Sequence, residues 1–247
     1  MKKMHYGWVI CITCTLLLFV TMGTVSNGFS VYLPYIMEEK GLPQDRLRVT
    51  GFPVNPVLGA LAKEHPLSWK EGEPFRVLYF AQRSARHARA ELAGMLDANP
   101  ALHVTCILGR RFRRIYPRIR DLRARYGRRL TVRGWTRRVP SYLAASHVVV
   151  GKAGGATVHE VLAAARPMLV NFLLPGQEEG NTRLLEKLGG GGHVPDVRAL
   201  ASALQEMMAD GGAQWRRMHE NLLRAGMTGG SGRIADLALK LAEEHTN

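Results

Sequence analysis

Residues 148–182 read VVVGKAGGATVHEVLAAARPMLVNFLLPGQEEGNT, and this stretch narrows the possible folds more than any other. An apolar strand ends at Gly151, and the pair Gly154-Gly155 follows in a tight turn. A helix then opens at Ala156-Thr157 and carries Glu160 one turn in. A second apolar strand, 168–174, runs into the polar loop 175–181. Strands alternating with a helix argue a parallel α/β sheet. Such a sheet collects its ligands at the carboxyl ends of its strands, where the polar residues of this unit fall.

The chemistry of the unit suits a nucleoside diphosphate. Glycines without Cβ let a phosphate approach the backbone. Free N–H groups of the following helix, aided by its dipole, hold negative charge. Glu160 offers an acceptor to ribose hydroxyls, and Gln177, Glu178, Glu179 and Asn181 are placed to read a sugar. The competing reading is an ordinary βαβ turn with a charged surface loop.

These residues also carry a resemblance. Lys152, Gly154, Gly155, Thr157, Glu160, Val161 and Leu162, followed by Pro175 to Asn181, resemble the C-terminal domain of family 28 glycosyltransferases. The lipid glycosyltransferase (diacylglycerol glycosyltransferase-like) branch is the more similar. Val49 to Val54 and Gly134-Trp135-Thr136 with Pro140 extend the likeness to about residues 48–244. The resemblance implies a Rossmann-like parallel sheet with helices on both faces, as the C-terminal half of a GT-B fold. It implies a hexosyltransferase whose donor is a UDP-sugar and whose acceptor is a lipid hydroxyl. Gly154, Gly155, Ala156 and Thr157 would hold the diphosphate and Glu160 the ribose. Gln177, Glu178, Glu179 and Asn181 would face the sugar, and Trp135 the uracil side. UDP-sugar enters as substrate; no cofactor and no metal is implied.

Two departures from the family pattern matter. The loop after the first strand of this domain reads Gln82-Arg83-Ser84, where relatives carry glycines; Ser84 and its neighbours are the remaining phosphate candidates. The likeness also covers only the donor half. The acceptor domain, and the catalytic base it would supply, is replaced by unrelated sequence, so the chain is expected to bind UDP with weak transfer or none. His87, His159 and His193 are the local histidines, and each is expected to be structural. A membrane-tethered binding module that works with a separate acceptor domain is the alternative.

Composition sets further bounds. The chain has 247 residues, 46% of them hydrophobic and 22% charged, as in folded proteins. Its net charge of +14 is concentrated: Arg110 to Arg138 holds thirteen arginines and one acid, Asp121. Such a face is drawn to an anionic membrane surface or to nucleic acid. No nucleic-acid-binding module is visible, so the membrane is the better account, beside that of a simply solvated helix face. Cys11, Cys14 and Cys106 do not make a disulfide framework or a metal site.

Residues 1–41 differ from the rest. Lys2 and Lys3 precede an apolar run from Trp8, long enough for one membrane-type helix, with a signal peptide as the rival reading. His5-Tyr6-Gly7-Trp8-Val9 with Asn27-Gly28-Phe29-Ser30-Val31-Tyr32 and Pro34 resembles the first transmembrane helix of a major facilitator superfamily transporter. No later apolar stretch is long enough to span, so transport is not expected. A membrane-associated chain with its glycosyltransferase domain in the cytoplasm is expected; the mixture is read as a fusion of two gene fragments, with a helix inserted in reverse or lying at the surface as the alternative.

Residues 42–73, rich in proline and glycine, are expected to be loops linking into the domain at 74–247. Strands are predicted at 75–81, 102–108, 130–132 and 147–150. Helices are predicted at 86–98, 112–126, 139–145, 182–188, 197–209, 214–225 and 232–244.

Overall fold

A computed structural model describes residues 38–39, 41, 48, 50–64, 67–174, 176 and 178–246; for 62–64 and 245–246 only the backbone is described. Contacts divide the chain into Met1–Val49 and Thr50–Asn247, and every strand described lies in the second unit. The membrane-type helix and its transporter-like motif lie outside the described residues. Among the described residues, no helix is long and apolar enough to cross a membrane.

The second unit begins with helix α1 (Val57–Glu64) and continues β1 (Phe75–Phe80), α2 (Ala85–Ala98) and β2 (Leu102–Ile107). Short helical pieces follow: α3 (Phe112–Ile115), a 3-10 turn (Tyr116–Arg118) and α4 (Arg120–Tyr126). Then come β3 (Leu130–Arg133), α5 (Val139–Ala145), β4 (Val148–Lys152), α6 (Gly155–Ala163) and β5 (Met168–Phe172). The last elements are α7 (Glu179–Lys187), β6 (Gly191–His193), α8 (Val197–Ala225) and α9 (Gly230–Thr246).

The strands form one six-stranded sheet in the order β3-β2-β1-β4-β5-β6, and every pairing is parallel. Successive side chains alternate between its faces. Val77, Tyr79, Val148 and Val150 enter one core with α2, α4 and the first part of α8. Leu78, Val149, Met168 and Val170 enter the other, with α1, α5, α6 and α7. Burial on both faces explains the near-continuous apolar strands. The chain order reverses between β1 and β4, which makes their carboxyl ends the switch point of the sheet.

Three differences from the sequence expectation have physical causes. Residues 42–73 contain α1. Asn55 caps it, accepting from Val57 N at 3.1 Å, and Leu58 is fully buried beneath it. The helix predicted over 112–126 is broken, because Pro117 has no N–H to continue the ladder. The glycine run 189–192 leads into the edge strand β6, which it shares at Gly191 and Gly192. A Cβ on Gly190 would strike the Leu222 side chain, and one on Gly191 would strike the Met168 carbonyl, so close packing leaves no room for a side chain at these two positions. Helix α8 is kinked at Ala209 to Gly212, where the backbone leaves helical angles, in agreement with the two helices predicted there.

Candidate functional site

β4 delivers Lys152 to the switch point through a register slip between Gly151 and Lys152 in its pairing with β5. Bulges of this kind re-aim a side chain. Lys152 Nζ donates to Glu178 Oε1 at 2.6 Å, and Glu178 Oε2 accepts from Leu174 N at 3.3 Å. Glu178 is only 3% exposed. It therefore pins the loop after β5 against the end of β4, with both carboxylate oxygens engaged.

Gly154 has φ −65° and ψ 139°, a conformation open to any residue, and Gly155 begins the helix. The backbone therefore does not require glycine at either position. A Cβ on Gly154 would lie 3.4 Å from Lys152 Nζ, whereas one on Gly155 would meet only Asn181 Nδ2, at 3.9 Å. The bare backbone instead leaves the start of α6 open to a ligand. Gly154 supplies no side-chain cap, and among the described residues the amides of Gly155, Ala156 and Thr157 have no hydrogen-bond acceptor. Asn181 lies on the same side, but its Nδ2 donates to Ala153 O at 2.8 Å and so holds the approach to the helix.

Glu160 follows one turn later on α6. It is half-buried, and burial pushes its carboxyl above the ordinary range. Among the described residues its carboxylate has neither a hydrogen bond nor an ion pair. The neighbouring His159 is committed: its Nδ1 lies 2.7 Å from Gly155 O, and its ring stacks on Phe52 with centroids 4.0 Å apart.

A cleft of about 480 Å³ opens over the carboxyl ends of β1, β2, β4 and β5. Arg110, Arg111 and Lys152 bring positive charge to its lining, and Phe80, Phe172 and Leu174 bring apolar surface. Gln82 also lines it, and its Oε1 is buried with no hydrogen-bond partner among the described residues. Beneath the cleft a buried polar cluster joins three elements. Glu91 Oε2 accepts from the Tyr79 hydroxyl in a short hydrogen bond and from Asn171 Nδ2 at 2.9 Å. Arg83 Nη1 lies 3.6 Å from Glu91 Oε1, and its guanidinium sits 5.3 Å from the centre of the Phe172 ring. Burial raises both the Glu91 carboxyl and, strongly, the Tyr79 hydroxyl.

The structure thus brings Gly154, Gly155, Ala156, Thr157 and Glu160 together at one helix start, with Glu178 and Asn181 behind them. Glu179 is exposed, its carboxylate 3.4 Å from Arg183 and from Gly176 N. Gln177 lies outside the described residues. Ser84 caps α2, its Oγ accepting from His87 N at 3.4 Å and lying 2.8 Å from His87 Nδ1. Trp135, on the loop after β3, is 60% exposed with the Arg137 guanidinium 5.7 Å from its ring centre. Sequence reasoning gave no separate role to Lys152, and it missed Tyr79, Glu91 and Asn171. An asparagine inside the otherwise apolar β5 was the available signal for that cluster.

No protein-family model matches the chain. It is 26% identical over 227 residues to a UDP-N-acetylglucosamine–N-acetylmuramyl-(pentapeptide) pyrophosphoryl-undecaprenol N-acetylglucosamine transferase of Nitrobacter winogradskyi, across 87% of this chain and 61% of that protein. It is 24% identical over 193 residues to a processive diacylglycerol beta-glucosyltransferase of Staphylococcus carnosus, across 75% and 49%. It is 27% identical over 93 residues to monogalactosyldiacylglycerol synthase 3 of Arabidopsis thaliana, across 38% and 20%. The homologues are thus family 28-type glycosyltransferases, named for lipid or lipid-linked acceptors. The chain spans between 20% and 61% of their length.

Among solved structures, Acinetobacter baumannii MurG superposes with a TM-score of 0.55 at 15% identity, across 80% of this chain and 58% of that one. UDP-GlcNAc 2-epimerase from Neisseria meningitidis bound to UDP-GlcNAc gives 0.62 at 16% identity, across 82% and 57%. Anabaena HepE in complex with UDP and glucose gives 0.52 at 14%, across 77% and 53%. The fold is therefore GT-B-like, and transferases and epimerases share it.

Proposed function

We propose that the Thr50–Asn247 unit binds a UDP-sugar at the switch point and serves as the donor half of a hexosyltransferase acting on a lipid hydroxyl. The observation that carries this reading is a half-buried carboxylate, Glu160, without a partner among the described residues, one turn past a helix start that lacks a side-chain cap and whose glycines the backbone angles do not require. The amides of Gly155 to Thr157 take the diphosphate, with Lys152 beside them, and Glu160 accepts from the ribose. Gln82, whose buried oxygen has no donor among the described residues, faces the sugar together with Gln177 and Glu179. Glu178 acts through Lys152, and Asn181 through Ala153.

In transfer, the acceptor oxygen bonds to the anomeric carbon, the bond from that carbon to the diphosphate breaks, and the acceptor proton passes to a base. The helix dipole and the Lys152 ammonium stabilise the charge that collects on the departing diphosphate. The described histidines near the site are engaged in structural contacts, so no base is assigned. That commitment favours a second reading, in which the chain binds nucleotide sugar without transferring it.

Isothermal titration of the full chain with UDP tests binding. Saturable heat is expected, and no heat at millimolar UDP would remove both readings. Incubation with labelled UDP-glucose, UDP-galactose or UDP-GlcNAc and diacylglycerol separates them: labelled glycolipid supports transfer, and binding without product supports the module.

A further inference from the structure

The connection from β2 to β3 is built as a one-sided element. Ile115, Ile119, Leu122 and Tyr126 recur at helical spacing, and all are buried. The positions between them turn outward, and they are chiefly arginines. Of the thirteen arginines from Arg110 to Arg138, every one except Arg129 is exposed.

Two carboxylates approach this face, both at its border with α2. Asp121 is held by Arg89 through two bonds of 2.7 Å, and Asp97 by Arg125 at 3.1 Å. Arg113, Arg114, Arg118, Arg120, Arg123 and Arg128 have no carboxylate partner among the described residues. So dense a group of like charges repels itself, and an anionic partner relieves that repulsion.

The aromatic residues show which anion fits. Stacking on nucleobases needs free ring faces. Here Phe112 and Tyr116 stack on each other at 4.6 Å, and Tyr126 is buried with Arg125 and Arg129 over its ring. Trp135 alone projects from the loop at the end of β3, and Arg137 occupies one of its faces. Basic side chains around one exposed tryptophan match a lipid interface, where the indole sits at headgroup level and the guanidinium groups meet phosphates.

We propose that the face from Arg110 to Arg138 docks the protein on an anionic phospholipid surface, with Trp135 seated among the headgroups. Arg110 and Arg111 belong both to this face and to the cleft, so docking brings the cleft rim to the bilayer. The inference stands on charge and exposure and does not need the UDP reading.

Co-sedimentation of the full chain tests it, with vesicles of phosphatidylcholine alone and of phosphatidylcholine and phosphatidylglycerol in equal parts. The baseline on phosphatidylcholine accounts for any contribution of residues 1–49. Stronger, salt-sensitive binding to the mixed vesicles is expected. A variant carrying R113Q, R114Q, R120Q and R123Q should lose more than about a hundredfold, since each cation near the surface is worth roughly fivefold. The matching lysine variant should keep most of the binding, and Trp135→Ser should remove the part of the emission blue shift that the mixed vesicles add over phosphatidylcholine alone. Wild-type melting of the glutamine variant establishes that it is folded. Equal binding to both vesicle types, or no loss in the folded glutamine variant, would overturn the proposal. So would tighter binding to duplex RNA or DNA than to mixed vesicles at the same salt.

Discussion

Lys152 and Glu178 meet at 2.6 Å across the gap between the end of β4 and the loop after β5. The carboxylate is 4% exposed and the ammonium side chain 32%, so removing the lysine strands a buried charge. Lys152→Met is expected to cost about 2–3 kcal/mol, near the lower end for breaking a buried pair because the lysine is partly solvated. Pairing Lys152→Met with Glu178→Gln should recover much of that loss. Urea denaturation of the single and double variants measures both effects. A single variant as stable as wild type would show that the contact does not hold the loop.

Glu160 should behave in the opposite sense. Burial raises its pKa, so the folded state holds the proton more readily than the unfolded chain does. The resulting stabilisation is full below the ordinary carboxylate range and is lost as pH rises through the raised value. Glu160→Gln removes that loss, and the variant should melt at or above the wild-type temperature at neutral pH. Its UDP affinity should nevertheless fall at least about tenfold, since hydrogen bonds to charged groups are worth roughly 1.5–3 kcal/mol. Thermal melting and UDP titration on one preparation separate the two effects. Undiminished UDP binding would remove the ribose assignment.

The contrast between these two glutamates shows what the sequence could express. Residues 148–163 were legible as strand, loop and helix because burial on both faces writes a continuous apolar run and the helix follows at once. The position of Glu160 came with the helix period. The task of Glu178 did not, because its partner lies 26 residues earlier and only the fold brings them together. The Glu91 cluster was hidden for the same reason: Asn171 reaches Glu91 across a separation of 80 residues. β6 left no pattern because its glycines have no side chains to alternate, and α1 was obscured by the proline that opens it.

Gly191 tests that reading of β6. A Cβ there would fall on the backbone carbonyl of Met168, which cannot move without opening the β5–β6 ladder. Gly191→Ala should therefore cost more than about 3 kcal/mol, the range reserved for severe steric or backbone conflicts. Gly192→Ala is the control. Its nearest neighbour is the Glu186 side chain at 3.3 Å, which can swing aside, so a loss under about 1 kcal/mol is expected. Similar losses in both variants, measured by chemical denaturation, would contradict the assigned pairing.

His147 makes the fold sensitive to acid. Its Nδ1 accepts from Arg76 N at 2.8 Å, its carbonyl accepts from Trp215 Nε1 at 2.8 Å, and its ring stacks on Phe75. Burial, reinforced by the Arg76 charge, lowers its pKa to about 3. The unfolded chain binds this proton near the ordinary histidine value, and the folded chain refuses it until far lower pH. The stability this supplies is complete above about pH 6.5 and drains away as pH falls toward 3, at up to ~1.4 kcal/mol per pH unit. His147→Gln keeps an acceptor near Arg76 N but cannot take up the proton. It should lose stability at neutral pH through altered packing, yet show a shallower decline between pH 6 and 4 than the wild type. Urea midpoints across that range measure the slope, and parallel declines in the two proteins would show that His147 is not the titrating group.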